Sequence, residues 1–186
     1  ASRRKSVSGR RPSFLDLSKD EMVSVVEEIG QPLYRATQLW SAVYAGGAGN
    51  FDSITTLPKA VRQRLHRDFD LDPLSPAKSL RSRDRSVDKI LFQLADGELI
   101  ETVLMRYGAA GGGKSRRTVC ISTQAGCALG CTFCATGQQG FRRNLSRGEI
   151  VAQVVHMNRR IAAKATSPEA PTSATNVVFM GMGEPF

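Results

Sequence analysis

The sequence predicts a mixed α/β protein, and three observations carry that reading. Hydrophobic spacing is helical over residues 14 to 70, it switches to alternating apolar runs around Asp96-Gly97, and a strand, loop, helix, strand order follows from residue 118. Each element has local support. Ser18 with Glu21 forms a capping box for a first helix, Leu17 and Met22 are spaced as a hydrophobic staple, and Gly30 supplies a stop. Pro32 opens a second helix in which Leu33, Trp40, Val43 and Tyr44 recur near helical spacing. A third begins near Pro58 with Val61, Leu65 and Phe69 on one stripe. Residues 14–75 therefore read as a small helical domain, preceded by a basic tail, 1–13, whose Ser and Gly content predicts disorder.

The segment KILFQLADGELIETVLM predicts a β-hairpin, because Asp-Gly between two apolar runs suits a tight turn. With the glycine-rich basic stretch YGAAGGGKSRR it makes up a second region, 76–117. In 118–186, TVCIST is a short strand and a cysteine loop follows. Ser146 and Glu149 cap a helix with Ile150, Val154, Met157 and Ile161 on one face, SPEAPTSAT interrupts it, and NVVFM has the composition of a buried parallel strand. Functional groups in such βαβ units gather at the carboxyl ends of the strands, where the cysteine loop and GMGEP both fall.

Composition narrows the class. The 41% hydrophobic content is ordinary for a globular protein, and no run of about 18 apolar residues is present to cross a bilayer. The opening ASRRKSVSGRRPS lacks the apolar segment of a signal peptide, so a cytoplasmic protein without membrane attachment is expected. In that reducing compartment, four cysteines point to metal ligands or catalytic thiols. The formal charge of +9 fits a polyanionic partner, but Arg3, Arg4, Lys5, Arg10 and Arg11 lie in the tail. Lys59, Arg62, Arg64 and Arg67 share the third helix, and Lys114, Arg116 and Arg117 follow a glycine run. Composition alone leaves RNA binding and a solvated basic surface equally open.

The chemistry concentrates in CISTQAGCALGCTFC, residues 120 to 134. Cys127, Cys131 and Cys134 stand as C-x3-C-x2-C with Gly126 and Gly130 shaping a turn. A structural zinc site would need a fourth ligand, and a dithiol switch would leave Cys127 unexplained. A four-iron cluster fits better, since three thiolates leave one iron open to a small molecule.

That spacing, with Phe133 before the last cysteine, resembles the radical S-adenosylmethionine (SAM) superfamily. The stretch Met180-Gly181-Met182-Gly183-Glu184-Pro185 is similar to its Gly-Glu-Pro region. Together VCISTQAGCALGCTFCATGQQGFRRNLSRGEIV and NVVFMGMGEP resemble the RlmN-type dual-specificity RNA methyltransferases, relatives of the Cfr enzymes, from about residue 14 onward. The resemblance implies that the chain opens a partial (β/α) radical SAM barrel, preceded by an RNA-binding accessory domain. It implies a [4Fe-4S] cluster on Cys127, Cys131 and Cys134, and SAM bound with the help of Phe133, Gly183 and Glu184.

The implied reaction methylates carbon 2 of an adenine in 23S rRNA, and in tRNA. Amidine carbons are not nucleophiles, so a radical route is required. In the family, a methylated cysteine near the C-terminus carries the group, and a carbon radical formed on it adds to adenine. A second cysteine then releases the RNA and closes a disulfide. Cys120 falls at that second position, and Glu101 at the family's acid, a proton acceptor or orienting partner. An electron donor such as flavodoxin and a monomeric state are implied as well. The sequence stops at Phe186, before any methyl-carrying cysteine, so the chain as given is expected to be inactive by itself. Two alternatives stand beside this reading: a Cfr-like carbon 8 methyltransferase, and a non-catalytic RNA-binding protein with a structural metal site.

Overall fold

The computed structural model describes residues 11–108, 115–164 and 171–184. Most of the tail, Lys114, much of SPEAPTSAT, Pro185 and Phe186 therefore lie outside the described residues. The chain divides into two compact units, one through Pro73 and one from Leu74 onward.

The first unit is helical. Ser13 caps a short 3-10 turn, Phe14–Asp16, and pairs with Asp70, while Phe14 packs edge-on against Phe51 and Phe69. Helix α1, Lys19–Glu28, begins with the expected reciprocal box: Ser18 Oγ accepts from Glu21 N–H, and the Glu21 carboxylate accepts from Ser18 N–H. Helix α2, Tyr34–Trp40, continues into a π-helical turn over Ser41–Ala45. Its buried stripe is Ala36, Leu39 and Val43, whereas Leu33 is exposed and Trp40 stacks on Tyr44. The spacing argument thus found the helix but misplaced part of its inner face. Helix α3, Lys59–Asp68, buries Val61 and Leu65 and turns its basic residues outward, where Arg64 and Arg67 pair with Asp68.

The second unit is a five-stranded sheet. Strands β1 (Ser75–Arg81), β2 (Val87–Gln93), β3 (Leu99–Tyr107) and β4 (Arg116–Cys120) run antiparallel in order. A last strand, β7 (Asn176–Val178), pairs parallel with β4. The Asp96-Gly97 hairpin joins β2 to β3 as expected. Strand β1 is an addition to the sequence reading; all of its residues are exposed, so it carries no apolar alternation to detect. Tyr107 and Arg116, read as loop, are strand residues paired across β3 and β4.

Between β4 and β7 comes a two-stranded ribbon, β5 (Gln124–Gly126) with β6 (Phe141–Asn144). Within it lie the cysteine loop and a single helical turn, α4 (Ala135–Gln138). Helix α5 (Arg147–Ala162) follows, capped by the Ser146–Glu149 box. It buries Ala152, Gln153, Met157 and Ile161, while Ile150 and Val154 are only partly covered. Phe92 meets His156 edge-on, and Thr102 bonds Gln153, so α5 covers the face bearing Ile90, Phe92, Ile100, Leu104 and Val119. The opposite face carries Lys89, Glu101, Val103, Met105, Thr118 and Cys120. Among the described residues, no helix is long and apolar enough to cross a membrane.

Candidate cofactor and reaction site

Alternation along β3 and β4 decides which side chains face each other. Val103 pairs with Cys120 and Met105 with Thr118, so Glu101 and Cys120 share the uncovered face. A concavity of about 490 Å³ opens there, lined among others by Met105, Thr118, Cys120, Val178 and Met180. Cys120 is 9% exposed, and burial pushes its thiol up from the ordinary value. Glu101 is partly exposed and pairs with Lys89, whose Nζ lies 2.8 Å from Oε1 and 3.0 Å from Oε2.

Beyond Cys120 the chain is held from both sides. The amide of buried Gln153 takes both backbone groups of Ser122: its Oε1 accepts from Ser122 N–H at 2.8 Å, and its Nε2 donates to Ser122 C=O at 2.9 Å. The same side chain accepts from Thr102 Oγ1 and donates to Glu149 C=O, which satisfies all of its hydrogen-bonding capacity. Ser122 Oγ donates to Glu101 C=O at 2.7 Å and accepts from Met182 N–H at 2.9 Å. One serine therefore links β3, the end of β4 and the Gly-Met-Gly-Glu segment.

That segment lies flat on residues 121–124. Gln124 clasps the Glu184 backbone at both N–H and C=O, and Thr123 N–H donates to Met182 C=O. Gly183 has φ +99°, and a Cβ there would lie 2.5 Å from Gln124 Cβ; one on Gly181 would lie 2.6 Å from Ile121 C=O. The glycines read from sequence as room for a bound ligand are thus required first by the chain's contact with itself. The Glu184 residue is exposed.

The cysteine loop is strung on the ribbon. Cys127 N–H donates to Gly140 C=O, and a Cβ on Gly126 would collide with that same carbonyl. Arg143 on β6 makes a bidentate pair with Glu149 at 2.8 and 2.9 Å and reaches Asp96 in the β2–β3 turn at 2.5 Å. Cys127, Cys131 and Cys134 are all partly exposed, and all four cysteines are free thiols. Backbone N–H groups of Gly137 and Thr136, opening α4, hold the Cys134 thiol below its ordinary value. Phe133 is 91% exposed.

Among the described residues, no three His, Cys, Asp or Glu side chains converge as a metal-ligand set. The chemistry of the donors nevertheless fits an iron–sulfur centre: three accessible thiols on one glycine-shaped loop, one of them held below its ordinary value. The structure therefore joins Glu101, Cys120 and the Glu184 backbone through Ser122 and Gln124, and it leaves the three loop thiols unassembled. Sequence reasoning missed Ser122, Gln124, Gln153 and Arg143. Only Gln153 left a signal, a polar residue on the inner stripe of an amphipathic helix.

Residues 13–71 match the family model for the ribosomal RNA large subunit methyltransferase N-terminal domain. A solved radical SAM methyltransferase from Sphaerobacter thermophilus superposes with a TM-score of 0.83 at 43% identity, covering 94% of this chain and 48% of that one. The fold is thus that of about half of a radical SAM methyltransferase.

Probable dual-specificity RNA methyltransferases RlmN narrow it further. That of Roseiflexus castenholzii is 41% identical over 94% of this chain and 50% of its own length. That of Heliobacterium modesticaldum is 45% identical over 91% and 43%. The chain is thus RlmN-type in sequence, and it spans about half the length of the curated relatives it matches.

Proposed function

We propose that the whole protein is a radical SAM methyltransferase that methylates carbon 2 of adenine in 23S rRNA and in tRNA. The observation that carries this reading is the placement of Glu101 and Cys120 on one uncovered sheet face, tied through Ser122 to the Gly-Glu segment beside the cysteine loop. Cys127, Cys131 and Cys134 would hold a [4Fe-4S] cluster. With SAM, that cluster supplies a one-electron route to a carbon radical, using electrons from a donor such as flavodoxin. Glu184 would accept from the SAM amino group, with its backbone fixed by Gln124. Phe133, fully accessible at the loop, would cover the cofactor.

The chain's own residues then serve release. Carbon 2 of an adduct must lose a proton, and Glu101, positioned by its ion pair with Lys89, is a carboxylate on that face able to take it. The Cys120 thiol, pushed up by burial, stays protonated and unreactive until a base draws its proton. It would then attack the thioether sulfur of the methyl-carrying cysteine, forming the disulfide as the sulfur–methylene bond breaks, and the freed methylene would take up a proton to complete the methyl group of the released RNA.

Anaerobic reconstitution of the whole protein, followed by mass spectrometry of adenosines from treated 23S rRNA, tests the proposal. Four irons per chain and 2-methyladenosine are expected, a cluster count that follows from the ligand chemistry. Exclusive 8-methyladenosine would transfer the protein to the Cfr type, and zinc in place of iron would overturn the reading.

A further inference from the structure

Asp88 is fully enclosed on the helix-covered side of the sheet, and four cations surround it. Its Oδ1 accepts from Arg81 Nε at 2.5 Å; its Oδ2 takes Arg106 Nη2 at 2.6 Å and Lys164 Nζ at 3.2 Å, with Arg160 Nε at 3.8 Å. Four positive charges against one carboxylate leave a surplus of three. Each cation also keeps between 26% and 41% of its side chain exposed, so the surplus faces outward. Like charges this close repel, and β1, β3 and the end of α5 hold them together regardless.

Arg106 and Lys164 also line a concavity of about 360 Å³, whose wall includes Arg116, Arg117, Tyr107 and Ser115 and, among the described residues, no carboxylate. Arg116 lies over the Tyr107 ring at 4.4 Å. Arg117 donates to Ser173 C=O and Ser115 Oγ. Both guanidiniums are oriented, and neither has an acidic partner among the described residues. Arg117 shares the helix-covered face with Arg106, directly across the β3–β4 pair, while Arg116 stands on the other face at the rim, so the concavity gathers cationic donors complementary to a multi-oxygen anion.

We propose that this concavity is a phosphate-binding site that takes a phosphodiester of an RNA backbone. Arginine forks match phosphate oxygens two at a time. The charge continues past the concavity to Arg81 and Arg160, a track longer than one free phosphate would use. The identity of the strand rests on the RNA reading above. Arg116 and Cys120 bound β4, so the site lies about 13 Å along the strand from the reacting thiol, by the usual rise per residue. It therefore holds the RNA at a distance and contributes affinity without base selectivity.

The test is fluorescence anisotropy of the whole protein with an RNA oligonucleotide over a range of salt, with inorganic pyrophosphate as a second probe in thermal-shift measurements. Arg117→Gln with Lys164→Gln is expected to flatten the slope of log K against log salt by about 2, uniformly across RNA sequences, and to abolish stabilisation by pyrophosphate. Arg117→Lys should retain most of the slope. Where the double variant fails to fold, Arg117→Gln alone carries the test with a change of about 1. A wild-type slope in folded variants, while the parent binds RNA, overturns the site and leaves the functional reading intact. A parent that binds pyrophosphate through these residues but no RNA overturns the RNA occupant together with that reading.

Discussion

Glu101 and Cys120 are diagonal neighbours across β3 and β4, because Val103 occupies the position directly opposite Cys120. Side chains in that relationship lie roughly 7–8 Å apart, too far for a direct bond and close enough to flank one bound base. Cys120→Ser in the whole protein is therefore expected to leave RNA covalently attached, visible as a slow band on a denaturing gel. Glu101→Gln should lower turnover by roughly 10²–10⁴, the usual contribution of a positioned acid or base. RNA released from Cys120→Ser at the parental rate would remove that thiol from the reaction.

Gln153 bonds four groups inside the core, two of them the backbone of Ser122. Gln153→Leu keeps the volume and strips every partner, which leaves buried donors and acceptors unsatisfied at about 1–3 kcal/mol each. A net loss of about 3 kcal/mol is expected, read as a lower urea midpoint at unchanged slope. The same variant should raise amide exchange at Met182, which bonds Ser122.

Gly183→Ala meets both a left-handed φ and the Gln124 side chain. The expected cost is about 1–3 kcal/mol, with displacement of 181–184 away from 121–124. Hydrogen exchange confined to those residues is the check; a neutral substitution would contradict the close approach.

Asp88 titration ties stability to pH. Burial pushes its carboxyl up, but hydrogen bonds and charge from Arg81 and Arg106 outweigh it and hold the group below the usual carboxylate value. The stabilisation is therefore complete above about pH 4 and is lost as pH falls through the lower folded value. Asp88→Asn is expected to cost about 3 kcal/mol at neutral pH, because it leaves four cations facing one another. The gap from the parent should close in acid and narrow in high salt. An equal gap at all pH values would exclude the charge as its source.

Arg143 joins three elements through one guanidinium: the β2–β3 turn, the ribbon and the start of α5. Arg143→Met is expected to accelerate amide exchange over residues 124–144 and alkylation of Cys127, Cys131 and Cys134, with a small change in global melting. Arg143→Lys cannot reproduce the bidentate pair and should recover only part of the protection. Unchanged thiol reactivity would show that the ribbon holds the loop unaided.

What the sequence determined by itself is everything that rests on short range. Capping boxes at Ser18 and Ser146, the Asp96-Gly97 turn and the C-x3-C-x2-C loop each depend on residues only a few positions apart, so composition and spacing suffice to find them. Only the tertiary structure decided which groups meet. The exposed strand β1 has no apolar period to betray it, and the inner faces of α2 and α5 follow their neighbours more than their own spacing. Ser122, Gln124, Gln153 and Arg143 join residues up to 60 positions apart, and the four cations reach Asp88 from 7 to 76 positions away. Such contacts are set by strand register and helix placement, which a linear pattern does not encode.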